Sequence, residues 1–361
     1  MPMETLLEYK CPACHGAIRF DASLQKMKCP YCDTELEVEA LQELDAVLQE
    51  EYVSDYTWQQ EPEGQWTQAE SENLRTYTCK FCGGEIIADE TTAATHCPYC
   101  DNPVVMTGQF AGTLRPDLVV PFKLTKDQAK EALAGHLHKK PLLPKLFKSK
   151  NRIESIQGMY VPFWIFDTAA DASIRYNATR VQHWSDSHYN YTRTSFYKLV
   201  REGSIAFDNV PVDGSSKMRD ELMESIEPYD LSQAVDFQTA YLAGYLADKF
   251  DVEAEACKTR ANERIRSTTE SMFASTAVGY ATVTPENSNI RLQDSRVRYG
   301  LLPVWILTTR YQDKAYTFAM NGQTGKLVGD LPIDWKLFWT YLLSIGLGSG
   351  ALISLIACLV G

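Results

Sequence analysis

Eight of the ten cysteines fall into four Cys-x-x-Cys pairs, a pattern typical of zinc sites. A tight turn between two cysteines presents both sulfurs to one ion, and two such turns complete a tetrahedron. Segment 11–32 opens and closes on such a pair, and segment 79–100 does the same. The spacing therefore predicts two structural Zn²⁺ ions, one held by Cys11, Cys14, Cys29 and Cys32 and the other by Cys79, Cys82, Cys97 and Cys100.

The two cysteine segments look like copies of one unit. Besides a closing Cys-Pro-Tyr-Cys, they share three matched positions: Gly16 with Gly84, Ile18 with Ile86, and Asp21 with Asp89. Four sulfurs leave no open coordination position, so we expect structural rather than catalytic sites. Disulfides, the other interpretation, form in an oxidising compartment, and the N-terminus lacks the basic and then apolar stretch of a signal peptide.

Charge argues against nucleic acid as the partner of these segments. Residues 1–110 contain 6 Lys or Arg against 20 Asp or Glu, a formal charge of −14, whereas the whole chain carries −12. Proteins bind phosphate backbones by neutralising them with Lys and Arg, and so acidic a surface repels them. Protein recognition is the favoured role, and a zinc-ribbon nucleic-acid-binding protein of replication or transcription is the alternative.

The C-terminal residues 337–361 contain no charged side chain. A helix of that length spans about 36 Å, enough to cross a hydrocarbon core of about 30 Å. We predict a transmembrane helix over residues 337–360, with one preceding lysine, Lys336, favouring cytoplasmic N-terminal domains. Gly346 and Gly350 form a Gly-x-x-x-Gly face that favours packing of a second helix, either another copy or a membrane partner.

Taken as a whole, the sequence predicts an α+β fold. It consists of two N-terminal zinc ribbons, a β-rich cytosolic domain with a helical insert, and the C-terminal transmembrane helix. Residues 158–210 and 281–320 are predicted to be rich in strands, Thr125 and Gln128 to form a capping box, and 215–275 to be mostly helical. The predicted domains are a first ribbon at 9–38, an acidic helix and linker at 39–74, a second ribbon at 75–107, an α+β cytosolic domain at 112–333 and the span at 337–360.

Residues 139–152 are strongly basic, with six Lys or Arg, no acid and interleaved leucines. Such a segment is a solvated connector, a lipid-facing surface or, least favoured, a nucleic-acid contact. No phosphate loop, nucleophile elbow or zinc-protease motif occurs in the sequence, and we expect no enzyme activity.

Several longer motifs, in order, carry a family resemblance. They are CPAC with CPYC, CKFC with CPYC, SIQGMYVPFWIFD, PVDGSSKM, TAYLAGYLADKF, LLPVW and FAMNGQTGKLVGDLP, followed by the apolar tail. The chain resembles the YdjG-like double zinc-ribbon membrane proteins of bacteria, whose ribbons are also similar to TFIIB-type and primosomal-helicase ribbons. The resemblance implies a place in phage-shock and SPFH-type stress operons and a role as a membrane anchor for envelope-stress proteins.

Together these features predict a single-pass, tail-anchored adaptor of the cell membrane. Its expected contacts are the lipid bilayer, PspA-like and SPFH or flotillin-like cytosolic proteins, a second membrane protein, and a second copy through the transmembrane helix.

Overall fold

The computed structural model describes residues 11, 16–40, 54–89, 92, 96–109, 114–149, 153–312 and 314–360. The strands are β1 (Arg19–Asp21), β2 (Lys26–Lys28), β3 (Glu35–Leu36), β4 (Leu74–Thr78), β5 (Glu85–Asp89), β6 (Val105–Gln109), β7 (Leu118–Val119), β8 (Gln157–Ser185), β9 (Asn190–Asp213), β10 (Val235–Asp236), β11 (Leu246–Asp248), β12 (Thr282–Tyr311), β13 (Lys314–Asn321) and β14 (Leu327–Gly329). The α-helices are α1 (Gln68–Glu72), α2 (Lys126–His138), α3 (Asp220–Ser225), α4 (Ala254–Ser275) and α5 (Trp335–Val360), and 3₁₀ turns cover Lys145–Lys148, Leu231–Gln233 and Thr239–Leu242.

The chain divides into two compact units, and the division falls inside the long strands β8, β9 and β12. The first unit comprises Met1–Gln60, Phe166–Val210 and Thr259–Arg296, and the second comprises Glu61–Ile165, Pro211–Lys258 and Val297–Gly361. Burial along β8 changes near this point. Residues 159–166 are all buried, as in a strand covered on both faces, whereas from 167 to 178 only every second residue is buried.

The second unit is built on one mixed sheet. Its strand order is β10-β7-β12-β8-β11-β5-β4-β6, and β13 and β14 extend the sheet from β12. The strands of the second cysteine segment, β4, β5 and β6, belong to this sheet, because β5 pairs with β11. The second cysteine segment is polar and acidic and has few apolar residues, and this pairing lets it share the core of the larger sheet.

An internal repeat lies in the same unit. The carbonyl oxygen of Pro162 accepts a hydrogen bond from the amide of Gly214 at 2.9 Å, and that of Pro303 accepts one from Gly322 at 2.8 Å. Two residues after each proline, a buried tryptophan donates its indole N–H to a backbone carbonyl, Trp164 at 2.8 Å and Trp305 at 3.2 Å. The shared Pro-x-Trp pattern therefore marks two strands with equivalent surroundings.

The first unit contains the first cysteine segment and the outer parts of the long strands. Strands β1, β2 and β3 form a small antiparallel sheet, with Phe20 opposite Met27. Farther along the chain β9 pairs with β8 as a hairpin, and Trp58 packs edge-on against Phe166 at 4.8 Å. The hydroxyl of Tyr176, a buried residue of β8, donates to a carbonyl of α4.

The structure is a mixed α+β fold rich in sheet, as the sequence predicts. Helix α2 begins at the predicted capping box, in which Thr125 and Gln128 satisfy each other's backbone amides. Within the predicted helical insert, α3 and α4 are helices but Leu246–Asp248 is a strand, because β5 and β8 pair with it on either side. The predicted acidic helix lies mostly in residues 41–53, outside the described residues. The predicted domain bounds stay a prediction.

Candidate metal centre

The second cysteine segment gathers four sulfurs at one point. The Sγ atoms of Cys79, Cys82, Cys97 and Cys100 all lie within 4.8 Å of one another, with 3.5 Å from Cys79 to Cys100 and from Cys82 to Cys97. A disulfide needs about 2.05 Å, whereas a tetrahedron with Zn–S bonds of about 2.3 Å places sulfurs about 3.8 Å apart. The arrangement is a closed, four-thiol set that could hold one metal ion.

One backbone hydrogen bond recurs at all four Cys-x-x-Cys pairs. The amide of the first cysteine of each turn donates to the carbonyl five residues later, at 2.7–2.9 Å: Cys11 to Gly16, Cys29 to Thr34, Cys79 to Gly84, and Cys97 to Asn102. The residue four positions after the cysteine has positive φ in three turns, at Asp33, Gly83 and Asp101. Gly, Asp and Asn adopt this conformation most readily, so the residues after these three pairs are those that the turn requires.

The turns also change the acidity of the thiols. Burial opposes ionisation of Cys79, but hydrogen bonds from the amides of Cys82 and Phe81 outweigh it and lower the pKa of Cys79 to about 7. Burial raises the pKa of Cys97, where the neighbouring Cys82 thiol adds to the effect. A metal that binds here must therefore displace protons from the more buried thiols, which makes its binding weaker at low pH.

The second cysteine segment is anchored to its own unit through a tyrosine of its Cys-Pro-Tyr-Cys turn. The Tyr99 ring lies on Gly84, and its hydroxyl contacts the Met159 sulfur at 3.8 Å and bonds to the carboxyl of Asp248. Ile86, Ala88 and the cysteines share a core with residues of β8, β11 and β12.

Asp248 is a buried carboxyl that no sequence motif singles out. Burial raises the pKa of Asp248 to about 7, against hydrogen bonds from Ser215 at 2.5 Å and from Tyr99, both of which lower it. The carboxyl of Asp251 nearby raises it further. Asp248 follows two apolar residues of β11, and only the pairing of β11 with β5 and β8 buries it.

The first cysteine segment forms a second cluster. The Sγ atoms of Cys11, Cys29 and Cys32 lie within 4.8 Å of one another, and those of Cys11 and Cys32 are 3.5 Å apart. Cys14 lies outside the described residues. The structure thus brings seven of the eight predicted ligands into two clusters, each of which could bind a metal ion, while zinc itself stays a prediction.

The same position in the two Cys-Pro-Tyr-Cys turns has opposite surroundings. Tyr99 is half-buried, whereas Tyr31 is 74% exposed. Phe20 and Ala88 also stand at matching positions, each one residue before the matched pair of Asp21 and Asp89. Ala88 is fully buried, whereas Phe20 is 51% exposed. The first segment therefore leaves exposed two positions that the second segment buries, in part or fully, within its own unit.

One apolar helix closes the described chain. Over Trp335–Ile353, α5 is long and apolar enough to cross a membrane, and none of this window is buried. Aromatic residues gather at its start, where Trp335 and Trp339 are 62% and 55% exposed and both pack against Phe338.

Comparison with known proteins places the chain in a family. The uncharacterized protein YdjG of Bacillus subtilis (strain 168) is 34% identical to it over 356 residues, which is 99% of each chain. The chain belongs to the YdjG family. The match to YdjG runs through both cysteine clusters and the α+β region. No protein-family model matches the chain, and no solved structure does.

Proposed function

We propose that this member of the YdjG family is a non-enzymatic, tail-anchored membrane adaptor. In this proposal α5 spans the membrane, both cysteine clusters hold structural Zn²⁺, and the first zinc-binding segment recruits a protein partner. Thiolate sulfur favours zinc over magnesium or calcium, and a four-sulfur set leaves no position at which a substrate or water could bind. The partner classes are those that the family resemblance implies, PspA-like and SPFH or flotillin-like proteins of the cytosol.

The different exposure of the two tyrosines carries the proposal. A zinc-binding segment of this size has a small core of its own, consisting of Cys11, Ile18 and Cys29 with two half-buried neighbours. In the second segment, Tyr99 and Ala88 lie against the sheet of the second unit. Tyr31 and Phe20, at the matching positions of the first segment, are exposed, and exposed aromatic residues on a rigid module are typical anchors of protein interfaces.

The described charges of the first segment support a protein over a nucleic acid. Arg19 lies on the same small sheet as Asp21, Lys26 pairs with Glu37 at 2.8 Å, and Lys28 lies 3.4 Å from Asp33. Both lysines already have acidic neighbours, so the described residues of the segment offer no basic track along which a phosphate backbone could lie.

The exposed apolar surface of α5 supports the membrane anchor. The helix contains 26 residues and is therefore about 39 Å long, more than a hydrocarbon core of about 30 Å requires. Tryptophans at its start match the aromatic belt of a membrane interface. Outside a membrane, so much apolar surface would lead to aggregation.

Deletion of residues 335–361, combined with crosslinking before cell fractionation, tests the adaptor role. We expect the truncated chain and the proteins crosslinked to it to move together from the membrane fraction to the soluble fraction. As a matched control, residues 337–360 are replaced by an unrelated single-pass apolar helix, which should keep both in the membrane. The proposal fails if the truncated chain and its crosslinked proteins stay in the membrane. Salt-sensitive binding of DNA or RNA by the full chain would favour the alternative instead.

A further inference from the structure

The basic segment of the second unit lies beside the start of α5. We call residues 139–148 the basic turn; it follows α2 and includes the 3₁₀ turn Lys145–Lys148. The amide of Asp334, the residue just before α5, donates to the carbonyl of Leu142 at 2.9 Å. Leu143 and Phe147 are buried in the core cluster against which Leu331 packs. Backbone and core contacts thus fix the basic turn next to the helix that we propose to enter the membrane.

Three of the four lysines of the basic turn are exposed and have no acidic partner among the described residues. Lys139, Lys140 and Lys145 are exposed, and no carboxylate of the described chain lies within ion-pair distance of them. Lys148 is half-buried and donates to the carbonyl of Lys140 at 2.8 Å, which braces the turn. Burial lowers the pKa of His136, and the charges of Lys140 and Lys139 lower it further, in keeping with a concentrated positive potential.

Asp330 and Asp334, the acidic residues just before α5, have hydrogen-bond or ion-pair partners other than the lysines of the basic turn. The Asp334 carboxylate accepts from the amides of Lys336 and Leu337 at 3.0 and 3.2 Å, and so caps the helix. Asp330 forms an ion pair with Arg219 at 2.7 Å. Lys336 itself is exposed, and with Lys139, Lys140 and Lys145 it outnumbers the one carboxylate of Asp334, so the entry of the helix keeps a net positive charge that attracts an external anion.

Apolar side chains stand among these lysines. Leu146 is 41% exposed between Lys145 and the buried Phe147, and Ile333 just before α5 is 48% exposed. Exposed lysines around exposed apolar residues suit a surface that is anionic outside and apolar below, which is the chemistry of a bilayer interface. A soluble anion would satisfy the lysines but would leave Leu146 and Ile333 in water.

We propose that the basic turn binds the anionic phospholipid headgroups of the leaflet that α5 enters. This inference rests on the proposed membrane span and adds lipid specificity to it. Near an anionic surface each lysine contributes about a fivefold factor in binding. The contact holds the second unit against the membrane surface, and the strength of this contact depends on the anionic lipid content of the leaflet.

The test uses the full-length chain in nanodiscs of phosphatidylcholine alone or with about one third phosphatidylglycerol, the anionic share being large enough to charge the surface. Hydrogen–deuterium exchange of a peptide covering residues 139–148 is the readout. In anionic discs we expect exchange to slow by about fivefold or more, the factor for one lysine near the surface. Lys139→Gln, Lys140→Gln and Lys145→Gln together should remove the difference between the two discs.

A control with the same loss of charge changes Lys126, Arg193 and Lys314 to Gln; all three are exposed and lie outside both cysteine clusters. It should keep the full difference between discs. Equal exchange of the wild-type basic turn in both discs, with the chain embedded, would overturn the lipid contact alone, as would loss of the difference in the control. A chain that fails to enter either disc would overturn the membrane span and the lipid contact together.

Discussion

The most informative single substitution is Tyr99→Ala, because Tyr31→Ala is its matched control. In the second segment, an added Cβ at Gly84 would lie 3.0 Å from the Tyr99 ring, so the ring rests directly on this turn. Its hydroxyl reaches Met159 and Asp248. Removing a fully buried aromatic ring costs about 3–5 kcal/mol, so for the half-buried Tyr99 we expect the free energy of unfolding to fall by about 2 kcal/mol.

Tyr31→Ala removes the same side chain from the same motif, but the ring is 74% exposed. Exposed substitutions change stability by about 0.5 kcal/mol or less. Urea unfolding of both full-length variants in mild detergent, with zinc present, measures the two values side by side. Equal destabilisation by the two substitutions, or none by Tyr99→Ala, would refute the assigned difference in packing. In crosslinked membranes the order should reverse, with Tyr31→Ala losing captured protein.

Three further substitutions test other parts of the second unit. Asp248 has a folded-state pKa of about 7 against an ordinary value of 3.8, so its contribution to stability is complete below pH 3.8 and is lost as the pH rises to 7. Between pH 5 and pH 8 the free energy of unfolding of the wild type should therefore fall by about 3 kcal/mol, and that of Asp248→Asn should not. The same pH dependence of urea unfolding in both proteins would contradict this. Gly158→Ala would put a Cβ 2.6 Å from the Tyr245 ring and 3.0 Å from that of Trp305, so we expect a cost of about 1–3 kcal/mol by thermal unfolding. Gly135→Ala, in the open interior of α2, should instead stabilise by about 0.5–1 kcal/mol, and the reverse order would show that the packing is wrong.

Features set by nearby residues could be predicted from the sequence. The capping box of α2 depends on Thr125 and Gln128, three positions apart, and it forms as expected. The cysteine turns depend on spacing and on residues that tolerate positive φ, such as Gly83 and Asp33. Seven of the predicted ligands converge for the same local reason.

Features set by distant residues could not be predicted. Leu246–Asp248 resembles part of a helix until β5, about 160 positions earlier in the chain, pairs with it. Tyr31 and Tyr99 stand in identical Cys-Pro-Tyr-Cys motifs, so no local signal separates the exposed ring from the packed one. The basic turn could be seen in the sequence, but its position beside α5 depends on the hydrogen bond from Asp334 to Leu142.

Metal analysis of the pure full-length chain tests most directly the claim on which the adaptor depends, that both cysteine sets are closed structural zinc sites. We predict two zinc ions per chain. Cys97→Ser should leave about one, because a structural site rarely survives the loss of one of four sulfurs, and Cys11→Ser should leave about one by the same reasoning. Cys257→Ser, which changes a buried cysteine outside both clusters, should leave two. A wild-type content well below two zinc ions, or the same content in all three variants, would contradict the claim.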